Sequence, residues 1–239
     1  MSRYPTYIPL ALLLAAQVAK LFHSFLMYFV LVLLSALTST VILWRHSVTT
    51  IVIGFSIGYL AEVIGTNCGI PFGEYKYLTQ LNLPGGVWAF VPMAWGAFIY
   101  ITLLASSSLL RPPVSLLHAA LLMTILDVYI DPLMVHVIKA WKWISPGPLQ
   151  VWGIPLTNFA GWFLVSLTSL YATYLISHNL PRVPKLYTTP YLAELVTYLL
   201  TSPKETLIPA ATSLTLGFLF IVPLILRRGD TKPFKNHAP

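Results

Sequence analysis

The feature that most constrains this chain is a succession of apolar runs, each close to the thickness of a bilayer. Phe25 to Trp44 carries no charged residue, and a helix needs roughly 20 mostly apolar residues to cross the hydrocarbon core. Comparable runs extend from about Ser47 to Gly65, Gly86 to Leu110, Val114 to Ile138, Ile154 to Ile176 and Thr206 to Leu226. Two weaker runs, Tyr7 to Phe22 with Lys20 and Leu186 to Thr201 with Glu194, bring the expected count to seven or eight. The connectors at Arg45-His46 and Arg111-Pro112-Pro113 put charge and helix breakers at the turns. The expected fold is an all-α, polytopic membrane helical bundle with a buried loop broken by glycine and proline.

Only 9% of the 239 residues are charged, against about 25% in soluble domains. That shortage excludes a water-facing surface of ordinary solubility, and the apolar content excludes intrinsic disorder. The net charge of +7 is spread along the chain with no basic stripe, so no nucleic-acid partner is expected. Cys68 has no second cysteine to pair with and gives no redox information. No cleavable leader stands out, and the first apolar run reads as a membrane helix. Residues 1–226 are therefore expected to form one transmembrane domain, with 227–239 a basic cytoplasmic tail, in a multi-pass protein of the cell membrane.

Orientation follows from the lysines and arginines between spans. With eight spans, Arg3, Arg45, Arg111, Arg182, Lys185 and the basic residues from Arg227 onward share one side. Lys20, Lys76, Lys139, Lys142 and Lys204 fall on the other. Both termini then face the cytoplasm.

The chain has 7 acidic residues, so their placement is informative. Glu62, Asp127, Asp131 and Glu194 fall inside expected spans. A carboxylate at a helix centre costs roughly 2.5–3.5 kcal/mol on insertion scales, so an intramembrane acid is a functional candidate; the alternatives are a packing ion pair or a wet position near the interface. Asp127 and Asp131 are spaced i, i+4 and share a helix face. Glu62, in another outward-running span, should lie at similar depth. Two like charges a turn apart in low dielectric favour retention of a proton, and a protonated carboxyl can act as a general acid.

Two segments on that same side resist regular helix. Gly65 to Tyr77 holds three glycines and Pro71 yet is apolar and aromatic, and such backbone at membrane depth must be buried in protein or line a cavity. It reads as a loop over the mouth of a pocket, or as an interfacial loop anchored by Tyr75 and Tyr77. Ala140 to Trp162 contains four tryptophans, broken by Gly147, Pro148, Gly153 and Pro155, with Asn158 entering the next span. Those tryptophans either form an interfacial belt or wall a long apolar site and face a cation. The spacing of Glu62, Asp127, Asp131 and His136 matches no metal-ligand motif, and no metal is assigned.

Glu62-Val-Ile-Gly-Thr66, Gly69-Ile-Pro-Phe-Gly-Glu-Tyr-Lys-Tyr77, Val91-Pro-Met-Ala-Trp95, Leu126-Asp-Val-Tyr-Ile-Asp-Pro132, Trp141-Lys-Trp143 and Trp152-Gly-Ile-Pro-Leu-Thr-Asn-Phe-Ala-Gly-Trp162 together resemble the carotenoid biosynthesis protein family of archaea and bacteria. Its characterised members include a carotenoid 1,2-hydratase, bisanhydrobacterioruberin hydratase. The resemblance spans roughly residues 55 to 165 and departs at Leu81-Asn82, where the family usually has Leu-Gly. It implies addition of water across the terminal double bond of a linear carotenoid, a lipid-soluble polyene, giving a tertiary alcohol without a cofactor. In that reading Asp127 or Asp131 donates the proton and Glu62 positions water. Phe72, Tyr75, Tyr77, Trp95 and Trp162 line the pocket, and Asn158 holds the water or a carboxylate.

Rival readings stay open. A proton-initiated, lycopene-type cyclase would be expected to carry Pro-x-Glu-Glu, which is absent. A prenyl transferase or elongase could use Asp127 and Asp131 for Mg²⁺ and diphosphate, but usually has two aspartate-rich motifs. A transporter should show paired broken helices, and a carotenoid-binding structural protein would not need three acids. Nothing in the sequence assigns an oligomeric state.

Overall fold

The structure is a computed structural model that describes residues 4–79 and 82–227. Arg3, Leu81 of the family departure and 228–239 of the expected tail lie outside the described residues. Eight α-helices follow in order: α1 Ile8–Leu21, α2 Phe25–Ile42, α3 Ser47–Cys68, α4 Phe90–Ser107, α5 Val114–Pro132, α6 Leu156–Ser177, α7 Thr189–Thr201 and α8 Leu207–Leu226. Six of them, α2 to α6 and α8, lie in segments long and apolar enough to cross a membrane. The protein is a multi-pass helical membrane protein. The two weak spans are helices of 14 and 13 residues. At about 1.5 Å per residue neither alone covers the ~30 Å core, although 3-10 turns, Tyr4–Tyr7 and Lys185–Thr188, precede them.

Consecutive helices pack as hairpins: α1 on α2, α3 on α4 and α5 on α6, with α7 against α8 and α1. The hub is α4. Of its span, 83% is buried, against 28% for α2, α3 and α8. A helix apolar on every side belongs in the interior of a bundle, and small residues let its neighbours approach. A Cβ added at Gly96 would stand 2.7 Å from the Ile51 carbonyl oxygen, and one at Gly58 would stand 2.3 Å from Trp95. Small residues at such crossings are how membrane helices gain contact without a hydrophobic driving force between them.

The two irregular segments are not separate loops. α3 stops at Gly69, whose φ of 71° places it in the left-handed region, where a residue without Cβ is unstrained. Strand β1 (Glu74–Tyr77) then pairs antiparallel with β2 (Trp141–Ser145), setting Tyr75 opposite Trp143 and Tyr77 opposite Trp141. Alternation along a strand sends every second side chain to one face, so Tyr75 is buried while Glu74 and Lys76 are exposed. β2 is reached from α5 through a π-helical turn, Leu133–Ile138, immediately after Pro132; proline and π-turns are recognised causes of helix distortion. A two-residue turn at Trp152-Gly153 joins β3 (Gln150–Val151) to β4 (Ile154–Pro155) and delivers the chain into α6. The aromatic two-stranded ribbon thus lies over the ends of α3, α4, α5 and α6.

Candidate active site

Glu62 lies near the end of α3 and is buried against α4 and the ribbon. Tyr75 and Tyr77 both donate hydroxyl hydrogen bonds to Glu62 Oε2, that of Tyr77 at 2.7 Å, and Trp95 Nε1 donates to Oε1 at 3.0 Å. Three neutral donors thus satisfy one carboxyl group. Burial, with Glu62 alongside, pushes the phenols of Tyr75 and Tyr77 well above the usual tyrosine range, so both remain donors.

Asp127 and Asp131 occupy one face of α5. Their i, i+4 spacing allows a single amide to reach both: Asn158 Nδ2, in the first turn of α6, donates to Asp127 Oδ2 at 2.7 Å and to Asp131 Oδ2. Trp141 Nε1 donates to Asp131 Oδ1 at 3.2 Å. Asp127 Oδ1 meets no described donor, leaving a position where a proton can reside. Among the described residues, the N–H donors to this pair are all neutral.

Glu62, Phe72, Tyr75, Tyr77, Asp131, Asn158 and Trp162 line one small chamber. The structure therefore brings together seven of the nine residues singled out in the sequence. Asp127 stands behind Asp131 on the shared amide. Trp95 stacks on Trp162, ring centroids 4.4 Å apart, and faces the neighbouring space. That space is an aromatic and aliphatic cleft between α1, α2, α4, α5, α6 and α7. Val91, Trp141 and Trp162 belong to both walls, so chamber and cleft adjoin. Phe25 and Ile138 line the cleft and are 42% and 46% exposed, which opens it towards the lipid-facing surface.

Some functional candidates were not identified from sequence. Trp141 and Trp143 stood as either belt or wall residues. Trp141 in fact holds Asp131, and Trp143 donates at 2.9 Å to the Phe72 carbonyl. The matching alternation of Tyr75-Lys-Tyr77 and Trp141-Lys-Trp143 was the available signal. Lys20, expected within the run Tyr7 to Phe22, sits in the last turn of α1, where its ammonium pairs with the fully buried Glu194. It still belongs to the same end of the bundle, but its charge lies inside rather than at the surface. His136 bonds the Trp152 carbonyl at 2.7 Å and is not part of the acid cluster; no metal-binding group of His, Cys, Asp or Glu occurs among the described residues.

Comparison with known proteins agrees with the motif pattern. The chain is 30% identical over 113 residues to bisanhydrobacterioruberin hydratase of Haloarcula japonica, an alignment covering 44% of this chain and 37% of the relative. The chain thus spans little more than a third of that relative's length. No solved structure matches it. The family described as carotenoid biosynthesis protein matches residues 20–223, a range that contains every residue of the chamber. This chain belongs to the carotenoid biosynthesis protein family.

Proposed function

We propose that the protein hydrates the terminal carbon–carbon double bond of a linear carotenoid within the membrane. The observation that carries this reading is a small aromatic chamber holding Glu62 and Asp131, with Asp127 behind, that adjoins an apolar cleft opening towards lipid. A polyene end group entering from the bilayer would place its terminal isopropylidene in the chamber and its chain in the cleft. Membership of a carotenoid biosynthesis family and the similarity to a hydratase support the substrate class and the reaction.

The chemistry divides between the two acid groups. Asp131, which faces the chamber, gives a proton drawn from the pair it forms with Asp127 to the less substituted alkene carbon. The alkene π electrons form the new C–H bond, and the other carbon becomes a tertiary cation. The π faces of Trp141 and Trp162 and the charge of Glu62 stabilise that cation in a site with little water. A water oxygen bonds to the cation while Glu62 takes one of the water's protons, giving the tertiary alcohol. Return of that proton to the aspartate pair restores the site, and the sum is alkene plus water. Asn158 and Trp141 orient Asp131, whereas Tyr75, Tyr77 and Trp95 hold Glu62. No cofactor takes part in this scheme.

The test is expression in cells that accumulate a linear carotenoid, followed by extraction and mass analysis of the pigments. A product heavier by one water, absent from an Asp131→Asn control, is the expected result. A product of unchanged mass with a new ring would point to cyclisation, and an added isoprene unit would point to elongation. Either outcome overturns the hydratase reading, as do unchanged pigments from several linear precursors.

A further inference from the structure

Lys20 is the one charged side chain on the cleft wall among the described residues. Its ammonium lies 4.1 Å from the ring centroid of Tyr198, 5.2 Å from Tyr28 and 5.7 Å from Phe98. Glu194 pairs with it and accepts from the Tyr28 hydroxyl at 3.2 Å, but Glu194 is fully buried and does not reach the cleft. The pair is therefore a dipole whose positive end faces the space beside the acid chamber. A buried ion pair is weak evidence for stability, because apolar side chains of similar volume often serve as well. Inside a membrane, such a group is by default functional. The hydration scheme above uses neither residue.

A linear carotenoid presents the acid with two kinds of double bond. Protonation of the isolated terminal alkene gives a localised tertiary cation. Protonation of a conjugated carbon gives a cation spread along the polyene, which is intrinsically more stable and leads elsewhere. Protonation turns one former double bond into a freely rotating single bond, and loss of a proton back to the aspartate carboxylate returns an isomerised polyene of unchanged mass. An enzyme that protonates only the end must disfavour positive charge on the conjugated chain.

We propose that Lys20, oriented by Glu194, is a specificity-determining residue whose ammonium raises the energy of positive charge on the conjugated chain in the cleft and thereby confines protonation to the terminal alkene. The proposal rests on the hydratase reading. A unit charge within several ångströms, partly offset by Glu194, should shift the ratio of the two outcomes by about tenfold.

The experiment compares wild type, Lys20→Arg and the double variant Lys20→Gln/Glu194→Gln, each reconstituted in lipid with a linear carotenoid. Pigments are separated by chromatography, and the ratio of isomerised polyene to hydrated product is measured. The double variant keeps a neutral hydrogen-bonded pair and is expected to raise that ratio about tenfold while still making alcohol. Lys20→Arg keeps the charge and should stay near wild type. If the double variant does not fold, Lys20→Met/Glu194→Leu removes the charges with apolar side chains, and the same rise is expected. An unchanged ratio in a folded, charge-free variant overturns the role of Lys20 and leaves hydration standing. A wild type that makes no alcohol overturns both.

Discussion

Two buried acid clusters lie at the same end of this bundle, and they are solved in opposite ways. Glu194 on α7 meets an ammonium, Lys20, with the Tyr28 hydroxyl alongside. Among the described residues, the N–H groups that Asp127 and Asp131 on α5 meet are the neutral ones of Asn158 and Trp141. The first arrangement compensates a charge with an opposite charge and holds it in place. The second leaves two carboxyls against each other, an arrangement that can hold a proton between them and release it. On the proposed function, the partner more than the acid decides whether a buried carboxyl is a fixed charge or a proton donor.

That contrast can be broken most severely at Asp131. Asp131→Asn keeps the shape and removes the proton; product formation should fall by about 10²–10⁴-fold with the folded fraction unchanged, measured as pigment formed per purified protein. An active Asp131→Asn would remove Asp131 as the proton donor. Next comes the stability of the two clusters. Glu194→Leu strands Lys20 and should cost about 3–5 kcal/mol in unfolding of the detergent-solubilised protein, whereas Asp127→Asn should stay within about 1 kcal/mol of wild type. Equal losses in the two variants would erase the distinction drawn here.

Glu62→Gln sharpens the comparison from the opposite wall. An amide cannot accept from Tyr75, Tyr77 and Trp95 on both of its heavy atoms, and turnover should drop about 10²-fold. Gly58→Ala acts at one remove, since its new methyl would overlap Trp95, the donor to Glu62 Oε1. An overpacking cost of about 1–3 kcal/mol is expected, with activity falling while Asp131 and its partners stay in place. The smallest effect belongs to Trp143→Phe, which loses one hydrogen bond to the Phe72 carbonyl. About 0.5–1.5 kcal/mol of stability should be lost, and turnover should be almost unaffected.

Much of the helical framework is legible in the sequence. The expected starts at Phe25, Ser47 and Val114 coincide with those of α2, α3 and α5. α3 runs past the expected end at Gly65 to Cys68, where the left-handed Gly69 stops it. The span expected from Gly86 starts at Phe90, because a 3-10 turn occupies Pro84–Gly86. The least legible element is the ribbon. Its strands are distant in sequence, and neither has a partner within its own segment to reveal it. The partner of Lys20 was hidden for a related reason: Glu194 is 174 positions away in the chain and meets it only once α1 and α7 pack together.

By itself the sequence determined that this chain lives in a membrane, where its helices run and which few acids they carry into lipid. Those are properties of short windows, set by the transfer cost of side chains and by local backbone preference. Only the tertiary structure decided which acids lie together and what each one meets. Asn158 bridges Asp127 and Asp131 from another helix, Glu62 receives three donors from β1 and α4, and Glu194 finds its cation on α1. Each of these pairings depends on helix packing and strand register, so hydropathy along the chain can locate a buried charge without showing what will neutralise it.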